Sequence, residues 1–177
     1  MEDGYFRRSV IMVYNVNKES EEVLGLRINI SLDKSYAMNR LFHEFANQTN
    51  YDIPLSSGGP VAHDELIILH TFSNISDAVM VSPNLWLGGS IEQIKLQLLK
   101  NPRSLTQVRF FLGHCIWSIS QLLEEANEEQ SWIVCKQTPL SPKQILNPTR
   151  NLWKDTLAMM NGKYATFAKF PTNPHWN

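Results

Sequence analysis

The first part of the chain alternates apolar and polar positions in two runs, RSVIMVYNV and LGLRINIS, which the polar stretch NKESEEV separates. Alternation with period two and β-branched residues predicts two strands, and the short polar connection predicts a hairpin between them. Further strand-like runs, ELIILHT, AVMVS and LWLGG, lie between Asn, Ser, Pro and Gly residues. We therefore expect the first half of the protein to be rich in β-structure.

Apolar residues at helical spacing predict helices in the remaining segments. The main predicted helices cover residues 37–48, 90–99, 116–127 and 149–160, and a short helix at SPKQIL has Ser141 as its N-cap. TQVRFFLG is predicted as a strand that ends at Gly113, and SWIVCK as another short strand. Hairpins early and helix–strand alternation late predict an α+β fold. We expect one compact domain over residues 1–177, with a mixed, largely antiparallel β-sheet flanked by helices.

Composition narrows the classes of function. Lys and Arg total 16 against 17 Asp and Glu, for a net charge of -1, so no positive field favours nucleic acid. The two cysteines, Cys115 and Cys135, have no second ligand at zinc spacing. No apolar run is long enough to cross a bilayer. We expect a soluble cytoplasmic protein without metal, cofactor or membrane contact.

Glycine and arginine positions supply candidates for binding an anion. Gly58, Gly59 and Pro60 could turn backbone N–H groups toward an anion, although a tight turn before a strand is the preferred interpretation. Arg8, beside Arg7, could meet a phosphate or a carboxylate, or it could lie solvated. Neither glycine pair continues into a phosphate-binding fingerprint.

The stretch FLGHCIWSISQLLEE carries the strongest candidate chemistry. A Cys115 thiolate beside His114 at a helix N-terminus would be nucleophilic, but adjacent side chains point apart and no third group orients the imidazole. We therefore interpret Gly113 as a corner between strand and helix and Cys115 as a buried filler, and we assign no catalytic residue. Trp117 and Gln121 form one face that could line a groove.

Several motifs occur together in a familiar order: YFRRSVIMV, SSGGPV, ELIILHT, LWLGGSIEQI, VRFFLGHCIWSISQLLEE and GKYATFAKFPTNP. In this combination the chain resembles the AlgH/YqgE family over nearly its whole length. The resemblance implies a compact bacterial cytoplasmic protein with a mixed sheet and no established enzymatic activity, although some members are labelled transcriptional regulators. It also implies a strand ahead of the YFRRSV motif, which leaves open whether a leading strand is missing before Met1.

Three functions follow in order of preference. The first is a non-enzymatic binding or regulatory module whose cleft holds a small anionic ligand or a partner peptide. The second is a hydrolase or thiol-dependent enzyme centred on His114 and Cys115, and the third is direct DNA binding, which the charge balance opposes. His70 is read as a hydrogen-bonded structural histidine, yet it stays among the candidate ligand-binding residues. Those residues are Arg8, Gly58, Gly59, Pro60, His70, Gly113, His114, Trp117 and Gln121.

Overall fold

The computed structural model describes residues 4–32, 55–135, 140–160 and 162–169. Within these residues seven strands form one sheet. They are β1 (Ile11–Asn17), β2 (Glu22–Arg27), β3 (Leu55–Ser57), β4 (Val61–His70), β5 (Ala78–Ser82), β6 (Leu85–Gly88) and β7 (Val108–Ser118). Their order is β1-β2-β7-β4-β6-β5, and β3 pairs with β7 in parallel while the other pairings are antiparallel. The predicted α+β class with a mixed, largely antiparallel sheet is confirmed.

Five α-helices and one 3-10 turn accompany the sheet in the described residues. They are α1 (Ile91–Lys100), the turn Pro102–Gln107, α2 (Ile119–Asn127), α3 (Pro142–Leu146), α4 (Leu152–Met159) and α5 (Lys163–Phe167). Serine N-caps start two of them as expected, because Ser90 accepts from the Gln93 N–H and Ser141 forms a capping box with Gln144. The predicted helices at 90–99 and 149–160 are confirmed, whereas the one at 37–48 lies outside the described residues.

The junction between β7 and α2 differs from the prediction. β7 continues past Gly113 to Ser118, and α2 begins at Ile119 instead of residue 116. The reason is non-local pairing: Cys115 lies opposite Gly25 and Trp117 opposite Val23 on β2. These ladder contacts hold residues 115–118 extended, and they override the helical apolar pattern that continues from α2.

The predicted strand at SWIVCK is also wrong over its described part. Residues 131–135 form no strand, although their sequence is strand-like. They have no sheet partner among the described residues, and a strand needs a neighbour to complete its backbone hydrogen bonds.

Apolar clusters cover both faces of the sheet. Ile68 and Phe110 belong to one cluster, and their neighbours Ile67 and Phe111 belong to the other, because successive strand residues point to opposite faces. Helix α1 covers the first face, and α3 with the start of α4 covers the second. The first cluster comprises Leu55, Ile68, Phe72, Ile75, Ile94, Leu98, Val108 and Phe110. The second comprises Leu26, Ile28, Ile67, Leu69, Leu85, Phe111, Leu140, Ile145, Leu146 and Leu152.

Two glycines lie against the backbone of β7 where β3 ends. The Gly58 N–H donates to the Leu112 carbonyl at 2.8 Å. A Cβ on Gly58 would overlap the carbonyl oxygen of Gly113, and one on Gly59 would overlap the carbonyl group of His114. These positions therefore require glycine because two backbones approach closely there.

We expect Gly59→Ala to destabilise the protein by at least about 3 kcal/mol, since the new methyl group meets backbone that cannot yield cheaply. Gly88→Ala is the control, because Gly88 has φ +75° but no atom within 4 Å of an added Cβ. Gly88→Ala should therefore lose only about 1–2 kcal/mol, which is the cost of a non-glycine residue in the left-handed backbone region. Denaturant unfolding of both variants measures the difference, and equal losses would contradict the close approach.

Candidate functional site

The GGP segment is tied into the sheet on both sides. The Gly58 N–H donates to the Leu112 carbonyl. The Gly58 carbonyl accepts from the Arg27 N–H at 2.7 Å and from the Cys115 thiol at 3.4 Å. Pro60 is exposed. Because the Gly58 N–H already has a carbonyl partner, the geometry supports the tight-turn interpretation over an anion nest.

Cys115 and His114 do not form a nucleophile–base pair. The two residues are consecutive in β7 and point to opposite faces of the sheet. Cys115 is fully buried, as predicted, and burial raises the pKa of its thiol to about 12, although the nearby Arg27 acts in the opposite direction. His114 Nδ1 lies 3.4 Å from Glu65 Oε2, within ion-pair distance but without hydrogen-bond geometry. A thiolate at neutral pH is therefore not supported.

The two cysteines should differ sharply in reactivity. We expect a thiol reagent to label the exposed Cys135 quickly in the native protein and Cys115 only after unfolding. Cys115→Ala should lower stability modestly, since it removes one small apolar group. Mass spectrometry of labelled peptides measures the two rates, with Cys135→Ser as the control. Fast native labelling of Cys115 would restore the thiol-enzyme hypothesis.

His70 is a structural histidine. It is fully buried, its Nδ1 accepts from the Phe72 N–H at 3.2 Å, and its Nε2 lies 3.1 Å from the Gly88 carbonyl. This pattern requires the neutral ring with the proton on Nε2. Burial lowers the pKa of His70 below its ordinary value of 6.5, against the weaker effect of the hydrogen bond to the Gly88 carbonyl. The expected hydrogen-bonded role is confirmed.

The lowered pKa of His70 makes stability depend on pH. Below pH 6.5 the histidine is protonated in the unfolded chain but stays neutral in the folded protein until a lower pH. The free energy of unfolding should therefore fall as the pH drops below that value. The asparagine in His70→Asn keeps an acceptor near Nδ1 but does not titrate. Thermal unfolding at about pH 7.5 and about pH 5.5 should show a larger loss for the native protein than for this variant. An identical loss in both would contradict the assignment.

A large groove follows the outer edge of β1, and we call it the edge groove. It has a volume of about 1200 Å³. Its lining includes Phe6, Arg7, Arg8, residues 10–13, Trp117, residues 129–135, Trp153 and Met160. Residues 10–13 alternate between the two faces of the sheet, and all of them line the groove, so it wraps around the strand edge. Among the described strands, β1 pairs with β2 alone, which leaves this edge free.

An aromatic cluster held by one carboxylate forms a wall of the edge groove. The rings of Phe6, Trp117 and Trp132 lie with their centroids 5.4–5.9 Å apart. The buried Glu125 carboxylate accepts from Gln121 Nε2 and from Trp132 Nε1, each at 2.7 Å. Gln121 and Trp132 thus share one anchor. Trp117 lines the groove from β7 and Gln121 is not part of its lining, so the two residues do not form the predicted helix face.

The structure divides the candidate residues into separate places. Arg8 and Trp117 line the edge groove, and the Arg8 guanidinium lies 5.3 Å from the centroid of the Trp153 ring. The glycine pair with Gly113 and His114 forms the crossing beside β7, and His70 lies in the core. Sequence reasoning missed the edge groove and two buried arginines, Arg27 and Arg109. A charged residue inside an apolar strand run was the available signal for both.

The described part of the chain holds no membrane-spanning helix and no cluster of metal ligands. No helix there is long and apolar enough to span a membrane. No group of three or more His, Cys, Asp or Glu side chains is placed to hold a metal ion in the same residues.

The mixed sheet and its helices make this a small α+β protein, and sequence similarity shows its family. Residues 1–165 match the family model described as AlgH-like (DUF179), and the chain belongs to this family. A UPF0301 protein of Bacteroides thetaiotaomicron is 34% identical over the whole of this chain and 86% of its own length. A UPF0301 protein of Chlorobaculum tepidum is 30% identical over 99% of this chain and 89% of its own.

Two solved structures share the fold. A crystal structure of a protein from Corynebacterium diphtheriae superposes with a TM-score of 0.73 at 19% identity, over 96% of this chain and 86% of that one. The solution structure of AlgH from Pseudomonas aeruginosa superposes with a TM-score of 0.65 at 18% identity, over 98% of this chain and 89% of that one. The resemblance inferred from the motifs is confirmed, and these likenesses speak to fold alone.

Proposed function

We propose that this protein is a non-enzymatic binding module that takes an extended segment of a partner protein into the edge groove. The observation that carries the proposal is the edge of β1, which among the described strands pairs with β2 alone, together with the strand-like residues 131–134, which form no strand in the described part of the chain. The groove runs between them and is lined by both.

An added strand would satisfy backbone groups on the outer edge of β1, with which no other described strand pairs. The outer edge of β1 presents backbone donors and acceptors, and an extended peptide pairs with such an edge through main-chain hydrogen bonds. Ile133 and Val134 are exposed on the opposite wall, at 40% and 66%, and would be covered by the same peptide. Burial of this surface supplies affinity, and the aromatic wall supplies pockets for alternate side chains.

The groove also indicates the chemistry of the partner segment. Its walls are mainly aromatic and aliphatic, which favours apolar residues at alternate positions. Arg7 is exposed at one end of the groove and favours an acidic residue in the peptide. A regulatory effect in this proposal would act through a protein contact, because the net charge of -1 gives little attraction to nucleic acid.

A leading strand of the same polypeptide, as the family resemblance implies ahead of Phe6, is the competing occupant. It would pair with the same edge of β1 and fill the groove from within the molecule. The two occupants are distinguishable, since a tethered strand competes at an effective concentration of about millimolar and raises the apparent Kd of an added peptide, whereas an open groove binds the peptide with its intrinsic Kd.

The test uses a synthetic peptide of about ten residues with alternating Val and Thr and an acidic end, a length that matches ordinary strands. We expect saturable binding that changes tryptophan fluorescence and protects the outward amides of β1 from hydrogen exchange. Val134→Asp should weaken the affinity by about tenfold or more, because it places a charge in the apolar wall.

The matched control is Val79→Asp, since Val79 is 64% exposed on β5 at the opposite edge of the sheet. This variant should bind the peptide like the native protein. A proline-substituted peptide should bind weakly, because it lacks the N–H groups that pair with the edge. The proposal is wrong if no binding occurs, or if both aspartate variants lose it equally.

A further inference from the structure

Arg109 is a buried arginine at the start of β7. Its side chain and backbone together are only 6% exposed. Nε donates to Ser56 Oγ at 2.9 Å, and Nη1 donates to the carbonyls of Ile28 at 2.5 Å and Ile145 at 2.9 Å. Nη2 is also buried, and it has no hydrogen-bond partner among the described residues. Of the five N–H groups of this guanidinium, the two on Nη2 are therefore unused.

The positive charge of Arg109 is not balanced by a carboxylate. No Asp or Glu among the described residues forms an ion pair with it, and its neighbours are carbonyls, a hydroxyl and the Phe111 ring at 4.8 Å. Burial lowers the pKa of Arg109 to about 10, so the group stays charged at neutral pH. A buried charge without a counter-charge is costly, and an anion that reaches it gains correspondingly.

A cavity adjoins this guanidinium. It has a volume of about 320 Å³, which is at the small end of the range for ligand sites. Ser31, Ser56 and Asn147 are its polar lining beside Arg109, and its remaining walls are Leu105, Val108, Phe110, Leu146 and Pro148. None of these residues lines the edge groove.

The hydroxyl of Ser56 adds a second donor. Ser56 Oγ accepts from Arg109 Nε, which leaves the hydroxyl hydrogen free to donate. Ser56 is only 2% exposed, so this donor is held beside the guanidinium in a site shielded from water. A single cation, a hydroxyl and apolar walls match one negative charge on a small apolar body better than a dianion.

We propose that this cavity binds a small organic monocarboxylate, with the carboxylate at Arg109 and Ser56 and the apolar body against Leu105, Phe110 and Leu146. The negative charge of the ligand offsets the buried positive charge of Arg109. This site is separate from the edge groove, and it stands whether or not that groove binds a peptide.

The experiment compares butyrate with butyramide, which has nearly the same shape without the charge, at matched ionic strength. We expect butyrate to bind saturably by calorimetry and to raise the unfolding temperature, because a ligand that binds the folded state stabilises it. Butyramide and inorganic phosphate should have no saturable effect.

Two serine variants locate the site without disturbing Arg109. Ser31→Phe places a large ring at the exposed, polar part of the cavity lining and should weaken butyrate binding by about tenfold or more. Ser73→Phe is the matched control, because Ser73 is exposed and does not line the cavity. Arg109→Gln, where it folds, should abolish binding.

Three results would overturn the proposal. One is an equal response to butyrate and butyramide, which would mean that the charge plays no part. Another is full binding by Ser31→Phe, which would place the carboxylate elsewhere. The third is saturable binding of phosphate without butyrate, which would show that the site prefers an inorganic anion.

Discussion

The close passage of residues 58 and 59 over β7 is the constraint on which the arrangement of the sheet depends. Along one edge of β7, the parallel strand β3 pairs with residues 110–112, and the antiparallel strand β2 pairs with residues 115–118. The chain must leave β3 and cross β7 within the short space between these pairings. Only backbone without side chains fits there, and Gly113, with φ +70°, adjusts β7 at the same point. The mixed character of the sheet therefore follows from one crossing.

This crossing also sets the surroundings of the two buried arginines. Ser56 and Ser57 are consecutive in β3 and point to opposite faces, and each accepts from one guanidinium: Ser56 from Arg109 at 2.9 Å and Ser57 from Arg27 at 2.7 Å. Arg27 also donates to the hydroxyl and the carbonyl of Tyr5. A strand of three residues thus organises a charged centre on each side of the sheet. Each guanidinium makes three hydrogen bonds and keeps one buried nitrogen without a partner among the described residues, Nε in Arg27 and Nη2 in Arg109.

Sequence patterns predicted what is local and missed what depends on distant partners. Alternation located β1 and β2, the serine caps located α1 and α3, and the character of a small apolar thiol predicted the burial of Cys115. The predicted end of β7 was wrong because the apolar spacing of Ile119 and Leu123 extends a helical pattern to earlier residues. In the structure β2 holds residues 115–118 extended. The edge groove depends on β1 meeting a segment more than a hundred residues away in sequence. The cavity at Arg109 likewise needs β3, β7 and α3 together, so only the arginine inside an apolar run hinted at it.

The central place of β7 has a consequence for how the protein is made. β2, β3 and β4 all pair with β7, and all of them precede it in the chain. During synthesis the β1–β2 hairpin and the group of β4, β5 and β6 precede β7, and they join one sheet only when β7 is available to pair with β2 and β4. The contact of Arg109 with Ser56 alone spans 53 residues. The nascent chain therefore carries uncovered sheet edges and apolar faces until β7 is made, and such surfaces are prone to aggregation before the fold is complete.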